Sequence, residues 1–166
     1  MEYYGYYPSP VGKLLLTCGE DGLTGLWMDC RTPEQGVQDE AHPVLVQAKE
    51  WLDGYFRGNI PAVSVPLAPK GTVFQQKVWK SLLTIPYGCS KSYGDIAKEL
   101  AQQLGKEKMS AQAVGQAVGR NPISIIIPCH RVVGARGQLT GYAGGLEKKK
   151  WLLQHEGWHI QENRIL

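Results

Sequence analysis

The first third of the chain alternates between short apolar runs and turns rich in glycine and proline. Residues 13–18 and 23–28 are two such runs, and residues 19–22 form a turn between them, so the pattern predicts a β-hairpin. After Pro43, apolar residues recur at a helical period, which predicts a helix that ends near Gly58. These elements indicate a small antiparallel sheet with one helix.

Three short helices are predicted further along the chain. Thr72 begins a capping-box pattern, and Ser92 and Ser110 can each cap a further helix. The third helix, residues 111–119, should end before Pro122, because the residue that precedes a proline avoids helical geometry. Three short helices in series indicate a helix-turn-helix unit, as in winged-helix DNA-binding domains.

The predicted fold class is α+β, with two domains. Residues 59–71 contain several prolines and predict an extended connector, where we place the domain boundary. The first domain, residues 1–70, is expected to hold the antiparallel sheet and its helix. The second, residues 71–166, is expected to be mostly helical and to carry the helix-turn-helix unit.

The third predicted helix is rich in small and amide side chains. Its interior glycine, Gly115, costs about 1 kcal/mol relative to alanine, so another surface should come very close to this helix. That surface is either a neighbouring helix or the groove of a nucleic acid, and the composition leaves both readings open.

A β-branched run, residues 123–127, is predicted to form a buried strand that leads to Cys129. This cysteine is either a small buried apolar residue or a nucleophile. A free thiol has a pKa of about 8.5, so a nucleophile needs a nearby base or positive charge. His130 and Arg131 are the candidates, and Glu156, on a last predicted helix, is the carboxylate that we expect to orient the histidine.

The charge distribution indicates a polyanionic partner for the second half of the chain. The net charge of +3 is uneven: residues 1–70 carry five Lys/Arg against nine Asp/Glu, whereas residues 71–166 carry thirteen against six. A basic half favours contact with a nucleic acid, although solvated charges distributed by chance would give the same count.

Composition and cysteine usage point to an intracellular globular protein. The chain is 43% hydrophobic and 20% charged, and no apolar run approaches the ~18–20 residues that span a bilayer. No secretory signal follows Met1, so we expect a cytoplasmic protein with free thiols. Cys18, Cys30 and His42 lack a zinc-binding spacing, so we predict no metal site and no cofactor.

The residues around Cys129 carry a family resemblance. The segment Ile-Pro-Cys-His-Arg-Val-Val, residues 127–133, follows Gly-Arg-Asn-Pro and resembles the active-site signature of the O6-alkylguanine-DNA alkyltransferases. The Pro-Cys-His-Arg-Val core is highly specific to that family. The resemblance covers most of the chain, continuing through residues 9–14, 52–58, 139–146 and 151–157.

The resemblance implies a reaction and a set of catalytic residues. Members of this family repair DNA by moving the alkyl group of O6-methylguanine, and we expect of O4-methylthymine, onto their own cysteine once per molecule, without a cofactor. By similarity Cys129 is the acceptor, His130 acts as the base through a water, and Glu156 orients His130. Asn121 would hold the active-site turn, and Tyr93 would donate a proton toward the guanine ring.

The resemblance also implies how the protein meets double-stranded DNA. The family extrudes the damaged base and places the third helix in the minor groove, whose weak sequence code suits repair at any site. Gln112 stands where members commonly have an arginine that fills the vacated space, and it lacks the charge and the stacking guanidinium. The N-terminal domain is expected to be ribonuclease-H-like and the protein monomeric. The implied substrate and DNA contacts are Gln112, Ala113, Gly115, Arg120, Arg131, Val132, Tyr142 and Ala143.

Two other function classes compete with alkyl transfer. A relative that senses alkylguanine without repairing it would lack the cysteine, so Cys129 argues against that class. A cysteine hydrolase would use Cys129 and His130 over many turnovers, but it leaves the helix-turn-helix unit and the basic half unexplained.

Overall fold

The computed structural model describes residues 1–29, 31–142 and 144–166. The chain divides into two compact units. The first contains residues 1–70 together with residues 122–126, and the second contains residues 71–121 and 127–166. None of the helices in the described ranges is long and apolar enough to cross a membrane.

A four-stranded sheet and one helix form the first unit. The strand order is β3-β2-β1-β4, with β1 antiparallel to β2, β2 antiparallel to β3, and β4 parallel to β1. The helix α1 begins after His42, whose ring nitrogen Nδ1 accepts the Val44 backbone N–H at 3.2 Å. The elements are β1 Tyr3–Ser9, β2 Gly12–Cys18, β3 Leu23–Trp27, β4 Val37–Gln38 and α1 Pro43–Phe56.

The apolar residues 123–127 do not form the predicted strand. Ile123 makes one isolated parallel bridge to Leu26, after which the chain turns, with Ile125 at a φ of 71°. The Ser124 N–H donates to the Leu26 carbonyl at 3.1 Å and the Leu26 N–H donates to the Pro122 carbonyl at 2.8 Å. The β-branched composition correctly indicated that these residues are buried, but β-branched side chains are buried in this turn as they would be in a strand.

Within the described residues, the second unit contains four α-helices and two pairs of short strands. Two of the helices begin with a capping box, formed by Thr72 with Gln75 and by Ser92 with Asp95. A third helix is capped by Ser110, whose hydroxyl accepts the Ala113 N–H at 3.2 Å. The elements are α2 Val73–Leu82, β5 Lys91–Ser92, α3 Tyr93–Gln103, α4 Ala111–Gly119, β6 Val132–Val133, α5 Leu146–His155, β7 Ile160–Gln161 and β8 Arg164–Ile165.

The three-helix unit is held by a buried tryptophan. Trp79 of α2 is 2% exposed, and its indole N–H donates to the Ala117 carbonyl of α4 at 2.9 Å. A buried indole needs such a partner, and this one ties the first helix to the third. The predicted α+β class, with an N-terminal sheet and a mostly helical C-terminal part, is confirmed.

A C-terminal hairpin braces the loop after β6. The strands β7 and β8 are joined by Glu162 and Asn163, both with positive φ, as a tight two-residue hairpin turn requires. The Leu139 N–H donates to the Asn163 carbonyl at 2.8 Å. Ile165 and Leu139 share a buried apolar cluster with Val133 and Leu153, so this cluster fixes the loop before residue 140.

Candidate active site

Cys129 begins a single turn of 3-10 helix, Cys129–Arg131. The turn is set by local bonds: the Cys129 N–H donates to the Ile127 carbonyl at 2.8 Å, and the Arg131 N–H donates to the Pro128 carbonyl at 3.0 Å. The Asn121 side-chain amide donates to the same Ile127 carbonyl at 2.9 Å. Asn121 therefore binds the backbone of the segment that leads into this turn. The Cys129 side chain is buried, with 5% of the residue exposed.

His130 and Glu156 form a buried pair next to this cysteine. The ring nitrogen Nε2 of His130 lies 2.6 Å from Oε2 of Glu156, and both side chains are fully buried. Burial would raise the pKa of Glu156, but the hydrogen bonds and charges of His130 and Arg131 outweigh it and hold that pKa well below its usual value. Burial lowers the pKa of His130 against the opposing effect of Glu156. The pair is thus a carboxylate and a neutral imidazole.

This pairing fixes which histidine nitrogen can act as a base. An ionised carboxylate only accepts hydrogen bonds, so Nε2 of His130 carries the proton and Nδ1 has the free lone pair. Nδ1 is buried and has no hydrogen-bond partner within residues 1–29, 31–142 and 144–166. A buried imidazole nitrogen with an unused lone pair is a ready proton acceptor.

Arg131 is hydrogen-bonded to Glu156 and to the backbone of Ile85. Its Nε donates to Oε1 of Glu156 at 2.8 Å, Nη2 donates to Oε2 at 3.1 Å, and Nη1 donates to the Ile85 carbonyl at 2.7 Å. The residue is only 8% exposed. The guanidinium neutralises Glu156 and ties it to the segment that follows α2, at Ile85, and the implied contact of Arg131 with DNA or substrate stays a prediction. The Gly88 N–H also donates to Glu156, at 3.3 Å.

Lys149 is a residue of this site that sequence analysis missed. It is fully buried, and its ammonium group donates to the Val132 carbonyl at 2.7 Å. Burial lowers the pKa of Lys149 to about 8. A signal was available, because Lys149 shares one helical face with Leu152, Leu153 and Glu156, which are all buried.

The surroundings of Cys129 oppose and support its ionisation at once. Burial raises the pKa of its thiol, while hydrogen bonds from Asn121 and Tyr142 and the positive charge of Lys149 act in the opposite direction. The net shift is upward, so the thiol is the resting form and a base must remove its proton.

Tyr93, at the start of α3, lies beside α4 and near Cys129. Its hydroxyl is 3.0 Å from the hydroxyl of Thr140. A Cβ at Gly115 would lie 3.6 Å from the Tyr93 ring, so the glycine of α4 faces this ring. Burial raises the pKa of Tyr93, and the charge of Cys129 raises it further. The hydrogen bond with Thr140 acts in the opposite direction.

The predicted DNA-contacting residues of α4 are accessible. Gln112 and Arg120 are exposed, and Ala113 and Gly115 are partly exposed, whereas the opposite face of the helix is buried in the second unit. Val132 is buried and offers its carbonyl to Lys149, and Tyr142 is partly exposed. The predicted contact at Ala143 lies outside the described residues.

Two of the three residues considered for zinc, Cys18 and His42, lie close together. The Cys18 sulfur approaches Nδ1 of His42 at 3.4 Å, but that nitrogen also accepts the N–H that opens α1. Cys30 lies outside the described residues. Within the part of the chain that the structure describes, no three His, Cys, Asp or Glu side chains group as metal ligands.

Comparisons with known proteins agree along almost the whole chain. Residues 2–69 match the family described as 6-O-methylguanine DNA methyltransferase, ribonuclease-like domain, and residues 73–158 match 6-O-methylguanine DNA methyltransferase, DNA binding domain. The methylated-DNA–protein-cysteine methyltransferase of Methanosarcina acetivorans is 44% identical over 160 residues, 93% of this chain and 98% of that protein. The protein of the same name from Haemophilus influenzae is 45% identical over 159 residues, 93% of this chain and 86% of that one.

Solved structures give the same result. The crystal structure of the Mycobacterium tuberculosis O6-methylguanine methyltransferase matches with a TM-score of 0.81 at 45% identity, covering 94% of this chain and 93% of that one. A structure of the Mycobacterium tuberculosis protein in complex with DNA matches with a TM-score of 0.80 at 45% identity, covering 93% and 92%. The resemblance stated from the sequence is confirmed: this chain belongs to the 6-O-methylguanine DNA methyltransferase family.

Proposed function

We propose that this protein repairs O6-alkylated guanine in double-stranded DNA by transferring the alkyl group to Cys129, once per molecule. The observation that carries the proposal is the buried series of Cys129, His130 and Glu156, in which Nε2 of His130 pairs with the carboxylate while Nδ1, within the described residues, keeps an unused lone pair. The names of the relatives support the substrate, since they are methylated-DNA–protein-cysteine methyltransferases. O4-methylthymine presents a similar alkyl ether and is proposed as a second substrate.

The first chemical step is removal of the Cys129 proton. Nδ1 of His130 accepts it through a bridging water, and the resulting imidazolium is stabilised by the carboxylate of Glu156, which keeps the ring in the required tautomer. The ammonium of Lys149 favours the thiolate that forms. The thiolate then attacks the alkyl carbon, the bond from that carbon to O6 breaks, and its electron pair stays on the guanine.

Because Cys129 is buried, the damaged nucleotide must leave the DNA duplex and enter the protein to reach it. An O6 alkyl carbon is stacked inside the duplex, so the nucleotide must be extruded at a cost of a few kcal/mol. The accessible face of α4 carries Ala113 and Gly115, whose small side chains permit the close approach that a minor groove requires. We place the extruded base against Tyr93, Val132 and the segment of Tyr142 and Ala143.

DNA affinity comes from contacts that do not depend on sequence. Arg120 is exposed at the end of α4, and the basic excess of the second half of the chain supplies further phosphate contacts. We propose that the protein acts as a monomer on the DNA of the cytoplasm, where its cysteines remain reduced.

Mass spectrometry after incubation with damaged DNA tests the function directly. A duplex oligonucleotide containing O6-methylguanine should add one methyl group to the peptide that contains Cys129, at no more than one per molecule. Cys129→Ser should abolish the transfer, and Cys89→Ser, which changes an exposed cysteine, should not. Repeated turnover, or methylation only on another residue, would contradict the proposal and favour a hydrolase.

The role of Gln112 in base extrusion is tested by comparing two substrates. If Gln112 occupies the space of the extruded base, Gln112→Ala slows repair of the duplex more than reaction with free O6-benzylguanine. Gln116→Ala is the matched control, because Gln116 is an exposed glutamine of the same helix. Equal effects of Gln112→Ala on both substrates would remove this role.

A further inference from the structure

The hydroxyl of Thr140 is fixed in front of Tyr93 by the loop that carries it. Leu139, the preceding residue, is 8% exposed, lies in the apolar cluster that includes Ile165, and is hydrogen-bonded through its N–H to the Asn163 carbonyl. On the other side, a Cβ at Gly134 would come within 3.4 Å of the Thr140 methyl carbon. Thr140 itself is exposed, but a β-branched side chain has few rotamers, and in the one observed here the hydroxyl lies 3.0 Å from the Tyr93 hydroxyl.

The proposed reaction would place a negative charge on the Tyr93 oxygen at this contact. When the bond from O6 to the alkyl carbon breaks, the guanine takes a proton from the Tyr93 hydroxyl and the phenolic oxygen becomes negative. The Tyr93 side chain is half-buried, so water solvates that charge incompletely, and burial alone raises the pKa of the phenol. The Thr140 hydroxyl lies 3.0 Å from the phenolic oxygen, and either hydroxyl can donate at rest. Once Tyr93 has lost its proton, only Thr140 can donate, and its hydrogen bond stabilises the charge and opposes that increase in pKa.

We propose that Thr140 is a positioning residue for proton donation: its hydroxyl donates a hydrogen bond to the Tyr93 oxygen as Tyr93 gives its proton to the departing guanine. This inference rests on the proposed function. In the balanced step, sulfur forms a bond to the alkyl carbon, the carbon–O6 bond breaks, its electron pair stays on guanine, and guanine gains the Tyr93 proton. The phenolate then recovers a proton from solvent, and the proton lost by Cys129 resides on His130.

Two alkyl donors separate this role from a general effect on Cys129. O6-methylguanine in a duplex has a leaving group that must be protonated, whereas iodoacetamide releases iodide, which needs no proton. Thr140→Val removes the hydroxyl and keeps the shape, so it should slow methyl transfer from the duplex about tenfold, the loss expected for one hydrogen bond to a charged oxygen. Carboxamidomethylation of Cys129 by iodoacetamide, followed on its own peptide, should keep its rate.

Conservative variants and a double variant complete the experiment. Thr140→Ser keeps the hydroxyl and should retain most of the transfer rate. In a Tyr93→Phe background, Thr140→Val should cause no further loss, because no phenolic oxygen remains to accept the bond. Thr84→Val is the matched control, since the exposed Thr84 hydroxyl donates to the Ser81 carbonyl of its own turn, at 2.6 Å. Thermal unfolding confirms that each variant is folded.

The outcomes distinguish the inference from the function beneath it. An unchanged transfer rate in Thr140→Val, an equal loss with iodoacetamide, or a full loss that persists in the Tyr93→Phe background would overturn the role of Thr140 while wild-type transfer stands. Absence of any methyl on Cys129 in the wild-type protein would overturn the proposed function itself.

Discussion

Replacing Glu156 by glutamine tests whether one buried carboxylate holds the active site together. Its two oxygens accept hydrogen bonds from His130 at 2.6 Å, from Arg131 at 2.8 and 3.1 Å, and from the Gly88 N–H at 3.3 Å. The variant Glu156→Gln keeps the shape but removes the negative charge. It leaves the Arg131 guanidinium, in a residue only 8% exposed, without its counter-ion.

The expected loss follows from this burial. Removing one member of a buried ion pair typically costs about 3–5 kcal/mol, because the remaining charge stays desolvated. Glutamine can still accept one bond from Arg131, so we expect about 3 kcal/mol, a large part of the ~5–15 kcal/mol that stabilises an ordinary protein. Glu147→Gln is the matched control on the same helix. The Glu147 side chain is 91% exposed and pairs with Lys150 at 3.5 Å, so its loss should cost less than about 0.5 kcal/mol.

Urea denaturation at two pH values measures both the loss and its origin. The folded pKa of Glu156 is held below its usual 4.5, so the stability that it contributes is fully present above pH 4.5 and is lost as the pH falls below that value. The wild type and Glu147→Gln should share this acid-side loss, and Glu156→Gln should lack it. A Glu156→Gln protein that is as stable as Glu147→Gln at pH 7 would refute the reasoning.

Three further predictions concern neighbouring residues. Lys149→Met should raise the pKa of the Cys129 thiol and slow its alkylation by iodoacetamide at pH 7, and the difference should vanish well above pH 8, where Lys149 itself is neutral. Lys150→Met is the control and should have little effect on this rate. Equal rates in the wild type and Lys149→Met at pH 7 would contradict the role of the buried charge. Gly115→Ala should stabilise the protein in urea by about 0.5–1 kcal/mol, because the structure has room for the new Cβ. The same variant should bind duplex DNA several-fold more weakly in a titration. Unchanged DNA binding would mean that the glycine serves only packing. Asn121→Ala should cost about 0.5–1.5 kcal/mol in urea, because the Ile127 carbonyl loses the Asn121 amide and keeps only its bond from the Cys129 N–H, and an unchanged stability would show that water replaces the amide.

Local signals predicted the helices of the second unit because helix termini are encoded in few residues. Thr72 with Gln75, and Ser110, satisfy backbone N–H groups within their own first turn, so the sequence alone specifies where α2 and α4 begin. The cysteine and its histidine are adjacent in sequence, so their proximity was equally readable. Their chemistry, however, depends on Glu156, which lies 26 residues from His130 and which sequence could only nominate.

Burial patterns were less informative where polar groups are involved. Four of residues 123–127 are isoleucines and all five are buried, and burial does not distinguish a strand from a turn. Lys149 and Arg131 look like surface charges in the sequence, because the carbonyl and carboxylate groups that satisfy them come from distant segments. A charged residue can be buried only with such partners, and these are known only once the chain is folded.

The proposed single turnover follows from the same burial that makes Cys129 a poor thiolate at rest. After transfer, the sulfur carries an alkyl group in a thioether, which has no carbonyl for water to attack and no stable leaving group. A cysteine hydrolase forms a thioester instead and must then admit and activate a water molecule beside it. Here the base, His130, is fully buried, and the thiol is 5% exposed. Such a site protects a thiolate long enough for one displacement at carbon, and it offers no second step that would restore the thiol.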